Sequence, residues 1–155
     1  MSTPIVFVGI GNSLRRDDGA GLFLATRLAA LLSDYGLPVE IIAVQQPAPE
    51  LAEELADLSP SAIFFVDAAV GLTAPIVVPA TGPAAARPGG SHHLSPAQVM
   101  HLARHLYKLT APAWLIQIPG VDFGHGEGFS TATQQSLNRA ETLVQTILDC
   151  IRTGD

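Results

Sequence analysis

Cysteine is nearly absent from this 155-residue chain: Cys150 stands alone. A single thiol excludes an internal disulfide and any cysteine-cluster metal site. It lies late in an apolar helical pattern, which favours a core cysteine over a nucleophile. Charge is also scarce, at 14% of residues against 48% hydrophobic. That balance suits an α/β domain whose strands are buried on both faces. Basic residues number eight against fourteen acidic, for a net charge of −6, which argues against a broad nucleic-acid footprint. No apolar stretch reaches membrane-spanning length, and no secretion signal is recognisable at the start, so a cytoplasmic protein is expected. No internal repeat or domain break interrupts the chain, and one domain over 1–155 is expected.

What is present is organised around Pro4–Gly21, reading PIVFVGIGNSLRRDDGAG. An apolar run, Ile5 to Val8, gives way to Gly9, Gly11 and Asn12, then to Asp17 and Asp18, then to an Ala/Leu-rich segment. The order implies a buried strand, a tight turn and a helix. Gly9-Ile10-Gly11 supplies half of a dinucleotide fingerprint, but Leu14 occupies the place of its third glycine. Two carboxylates after the turn would also repel a pyrophosphate and suit a cation better. Asp17, next to Asp18, is expected to point elsewhere, capping the first helix or orienting the turn.

Further along, Leu22, Ala25, Leu28, Ala29 and Leu32 repeat at helical spacing. Val39–Val44 reads as a second strand, with Glu40 hinting at a sheet edge. Gln45–Pro49 reads as a turn or binding loop, with Pro49 opening a helix whose acids Glu50, Glu53, Glu54 and Asp57 face solvent. Ala62–Asp67 is an apolar run ending in one acid. The carboxyl end of such a strand is where α/β proteins place ligands, so Asp67 is a candidate for chemistry, with capping of the next turn as the structural competitor.

Ile76–Pro79 reads as an edge strand, and 81–93 as a loop carrying His92 and His93. Ser95-Pro96-Ala97-Gln98 has the form of an N-cap, an N1 proline and a capping-box Gln. In the helix that follows, His101 and His105 share one face without the Glu of H-E-x-x-H, which reads as an exposed pair. Ala113–Ile118 is a further strand. Asp122, His125 and Glu127 lie in the glycine-rich loop behind it, and His125 and Glu127 are candidates for peptide contact. A last helix, boxed by Thr131 and Gln134, is expected to carry one buried stripe from Leu137 to Ile151.

Asp18, Asp67 and His93 each stand beside the end of an expected strand. Two carboxylates and an imidazole make a mixed oxygen/nitrogen donor set with room for water or substrate. Nickel, zinc and iron all accept such donors. A closed structural zinc site is disfavoured, because its usual four ligands, commonly thiolates, are missing.

Three blocks of this sequence resemble the [NiFe]-hydrogenase maturation endopeptidases. They are Gly9-Ile10-Gly11-Asn12 with Leu14 and Asp17-Asp18-Gly19-x-Gly21; Phe65-Val66-Asp67-Ala68; and Ser91-His92-His93-Leu94-Ser95-Pro96 followed by Val99 and Leu102. The similarity runs from about Pro4 to Leu148. It implies a three-layer α/β/α sandwich around a twisted, mainly parallel sheet. It also implies removal of a C-terminal extension from a hydrogenase large-subunit precursor after nickel insertion. The family's nickel-engaging positions fall on Asp18, Asp67 and His93, with the spacing to the next helix selecting His93 over His92. The first of these is often Glu, so Asp18 reaches one methylene less. Nickel is expected to arrive with the precursor. A noncatalytic hydrogenase assembly factor is the nearest alternative, and a nucleotide-binding α/β enzyme the more distant one.

Overall fold

A computed structural model describes residues 3–82, 85 and 94–154. Five strands, β1 (Ile5–Ile10), β2 (Val39–Val44), β3 (Ala62–Ala69), β4 (Ile76–Pro79) and β5 (Ala113–Pro119), form one sheet in the order β2-β1-β3-β5-β4. All pairs are parallel except β4 with β5. The helices are α1 (Ala20–Asp34), α2 (Pro49–Leu58), α3 (Pro96–Tyr107), α4 (Thr131–Leu137) and α5 (Thr142–Thr153). The three-layer α/β/α fold expected from the sequence is the one observed.

Strand parity divides the core. Ile5 and Phe7 of β1, Phe64 and Val66 of β3, and Trp114 and Ile116 of β5 face α1, α4 and α5. The intervening Val6, Val8, Ile63, Phe65 and Leu115 face α2 and α3. Both faces of the three central strands are therefore dry, which is why these strands read as continuous apolar runs rather than alternating ones. Phe7, Phe64 and Trp114 are register partners on adjacent strands. Their rings stack across the sheet with centroids 5.4 and 5.0 Å apart, bracing its centre.

The local signals explain the boundaries. Ser95 caps α3 in a full capping box: its Oγ accepts the Gln98 N–H at 3.2 Å, and its own N–H donates to Gln98 Oε1 at 2.7 Å. Pro49 opens α2 at a position that needs no N–H donor. Glu40 marks an edge strand, and so does Pro79. The last helix departs from expectation. It is broken into α4 and α5 by a turn over 138–141, and its cap is Ser130, whose Oγ accepts the Thr133 N–H. Cys150 lies part-buried on α5 against the core, and burial, then the nearby charge of Asp149, pushes its thiol up. Both observations suit a packing role.

The order 2-1-3 contains a switch point. From β1 the chain moves to one side to form β2, then crosses back to form β3 on the other. The crossovers diverge there and leave a crevice beyond the carboxyl ends of β1 and β3, where open α/β sheets take their ligands.

Candidate functional site

Glycine governs how closely the elements meet at that crevice. Gly11 has φ +144°, and a Cβ there would lie 1.8 Å from the Asp18 carbonyl oxygen. The chain can thus double back after β1 and bring Asp18 over the strand end. The Asp18 carboxylate is then held by the Asn12 N–H, which donates to Oδ2 at 2.8 Å. Gly21 seats the first turn of α1 on the sheet: a Cβ there would meet Ile10 O at 2.5 Å and Val66 O at 2.6 Å. Both acids of the pair belong to a 3-10 turn, Arg16–Gly19, that precedes α1, so they stand before the helix rather than in its first turn.

The two adjacent acids have opposite fates. Asp17 is fully buried and accepts four hydrogen bonds. These come from the N–H groups of Val121, Asp122 and Ser130 at 2.8, 2.9 and 2.8 Å and from the Ser130 hydroxyl at 2.7 Å. Burial pushes its carboxyl up, but those donors together outweigh burial and hold it at about 2. Asp17 therefore points away from Asp18, as expected. Its task is neither helix capping nor local turn geometry, since it ties the β1–α1 turn to the loop after β5. The same two segments are joined by backbone bonds from Arg16 N–H to Gly126 O at 3.0 Å, Gly126 N–H to Leu14 O at 2.8 Å and Asp17 N–H to Asp122 O at 2.9 Å.

Asp18 faces the crevice with Asp67, which follows directly on the apolar core of β3. They line one open cleft of about 320 Å³ with Asn12, Arg15, Gln45 and Ser95 among its other walls. Burial, opposed by the Ala68 N–H and helped by the charge on Asp18, raises the Asp67 carboxyl to about 7. A proton is thus retained near neutral pH at a point where two carboxylates compete for positive charge. This donor chemistry fits a divalent cation, which would stand where the proton now relieves the repulsion. Among the described residues no three His, Cys, Asp or Glu side chains gather into a metal-binding group. His93, the third expected donor, and its neighbour His92 lie outside the described residues.

Arg15 is the wall residue that motif reasoning passed over. Its Nε donates to Phe123 O at 3.2 Å, and neither carboxylate of the cleft is within ion-pair distance of it. Among the described residues only Nε of the guanidinium is engaged, which leaves its terminal nitrogens for a ligand. Gln45 and Gln46, from the segment read as a turn or binding loop, line the same cleft. His125 and Glu127 are exposed on the loop after β5 and do not line the cleft.

The sequence matches no protein-family model and no curated protein sequence. Its fold is similar to that of several solved proteins. One is a [NiFe] hydrogenase maturation protease, HycI, from Thermococcus kodakarensis KOD1, with TM-score 0.69 at 24% identity over 97% of this chain and 93% of that one. The hydrogenase maturating endopeptidase HybD from E. coli superposes with TM-score 0.69 at 18% identity, again over 97% and 93%. The HybD maturation protease from Thermococcus kodakarensis gives 0.61 at 19% identity over 93% and 98%. Coverage is near complete in both directions, so the likeness extends to the whole three-layer architecture.

Proposed function

We propose that this protein is an endopeptidase that removes the C-terminal extension of a nickel-loaded [NiFe]-hydrogenase large-subunit precursor. The observation that carries the reading is the pair Asp18 and Asp67, two carboxylates on one cleft at the sheet's switch point. The named function of proteins sharing this fold supports it, as do the three sequence blocks that resemble the family.

In this reading nickel belongs to the substrate. Asp18 and Asp67 offer oxygen donors to the ion carried by the precursor, and His93 is the third donor. Engagement of those donors makes docking depend on metal loading, and a bound divalent ion supplies Lewis acidity toward a carbonyl or water. The remaining work falls to the chain itself. Gln45 and Gln46 provide side-chain amides that can pair with the N–H and C=O groups of an extended peptide. Arg15 offers its free guanidinium nitrogens to a carbonyl or carboxylate of the same segment. Asp67, protonated up to about 7, can hold or release a proton at the cleft under neutral conditions. Among the described residues no helix is long and apolar enough to cross a membrane, and the expected partner is the folded precursor.

Intact mass spectrometry of a purified precursor, nickel-loaded and nickel-free, tests the reading. Loss of one C-terminal peptide from the loaded form alone is expected. Stable binding without a mass change would instead favour a noncatalytic assembly factor. Cleavage independent of nickel would refute metal gating while leaving the protease assignment in place.

A further inference from the structure

We propose that His101 and His105 form a second transition-metal site, on α3 and separate from the cleft. The two residues are one helical turn apart, so their side chains rise from the same face. Both are exposed, and their rings lie side by side with centroids 4.2 Å apart and planes tilted by 44°. Two cis ligand positions on a divalent first-row ion, with metal–nitrogen bonds of about 2.0–2.1 Å, are about 3 Å apart. Rings at this separation reach both positions through small side-chain rotations, with no change in the helix.

The surroundings leave the pair free to chelate. Arg104, between the two histidines in sequence, is drawn aside by its hydrogen bond to Ala111 O at 3.2 Å. Lys108 follows at the helix end, so two cations share the helix with the site. The helix packed against α3 is α2, whose exposed Glu50, Glu53, Glu54 and Asp57 bring acidic charge to the same layer. On its N-terminal side His101 borders a shallow groove with Leu94, Ala97, Gln98 and Leu102, whose one side-chain amide oxygen, Gln98 Oε1, already accepts the Ser95 N–H at 2.7 Å. The site therefore offers two imidazoles, with water completing the coordination. Borderline ions suit it: Cu²⁺ binds most tightly, Ni²⁺ and Zn²⁺ less so, and Mg²⁺ not at all.

The assignment stands apart from the proteolytic reading and has its own test. Cu²⁺ and Ni²⁺ are titrated into the full-length protein and into His101→Asn, His105→Asn and the double variant, by calorimetry, with circular dichroism confirming the fold. Two linked imidazoles act as one chelator, so the second is supplied at high effective concentration. Each single variant is expected to lose on the order of 10²-fold in affinity for one ion, nearly as much as the double variant. Paramagnetic broadening by Ni²⁺ should centre on 101–105 and vanish in all three. A fourth variant, His105→Leu with Leu106→His, keeps two imidazoles but turns the second off the shared face, and should behave like the single variants. Unchanged ion number and affinity in the double variant would overturn the site. So would a fourth variant that binds like wild type, because the helical spacing would then be irrelevant.

Discussion

Asp17 and Ser130 are 113 positions apart and doubly joined, the Ser130 N–H donating to Oδ1 at 2.8 Å and its hydroxyl to Oδ2 at 2.7 Å. The buried carboxylate beside the candidate site is therefore a fastener between two loops. Asp17→Ala leaves several donors without an acceptor and is expected to cost about 2–4 kcal/mol in urea unfolding. The Asp17 carboxyl lies at about 2 in the folded chain and 3.8 when unfolded. Its contribution is thus fully present above 3.8 and disappears as pH falls through about 2. The Asp17→Ala variant should show a correspondingly weaker acid-induced loss of stability.

Asp67 carries the opposite sign. Its carboxyl rises from 3.8 to about 7 on folding, so the metal-free folded state binds the proton more tightly than the unfolded chain does. Stability associated with this group is highest below about 4 and is lost as pH rises through about 7. Asp67→Asn removes that penalty. The variant is expected to be more stable than wild type at pH 8, by on the order of 2–4 kcal/mol, equal to it at pH 4, and inactive in precursor processing. Normal nickel-dependent cleavage by the folded variant would remove Asp67 from the site.

Gly21 tests whether the spacing between α1 and the strand ends matters. The atoms that a Cβ would strike, Ile10 O and Val66 O, are backbone and cannot swing aside. Gly21→Ala is expected to lift the start of α1, cost about 1–3 kcal/mol and reduce processing beyond what the lost stability explains. Comparison of thermal unfolding with cleavage, at a temperature where the variant is fully folded, separates the two effects.

Among the described residues Arg15 makes one side-chain hydrogen bond, to an exposed loop carbonyl. Arg15→Ala should leave the unfolding midpoint nearly unchanged. If the guanidinium holds the peptide, the variant should raise KM about tenfold or more, as expected for a lost charge-assisted bond. Arg15→Lys should not restore it, because an ammonium lacks the planar fork. An unchanged KM would limit Arg15 to its contact with Phe123.

The layered fold was legible because its causes are local or periodic. Continuous apolar strands announce a sheet covered on both faces, and Ser95-Pro96-Ala97-Gln98 writes out its own capping box. The break between α4 and α5 was not legible, since the apolar stripe runs on through it and the true cap, Ser130, is one position before the expected one. At the candidate site, Asp67 was marked by its place at the end of an apolar strand, and Asp18 by the turn that precedes α1.

The different employment of Asp17 and Asp18 is a tertiary matter. In sequence they are neighbours of identical chemistry. Only folding brings the N–H groups of Val121, Asp122 and Ser130 to one of them and sets the part-buried Asp67 on the same cleft as the other. Arg15 is the same kind of case, ordinary within an Arg-Arg-Asp-Asp run until the Phe123 carbonyl fixes it at the cleft. The sequence by itself determined the elements, through hydrophobic period and capping chemistry that act over a few residues. The tertiary structure decided which polar groups meet, because hydrogen bonds and desolvation depend on neighbours that the chain supplies from distant parts of the sequence.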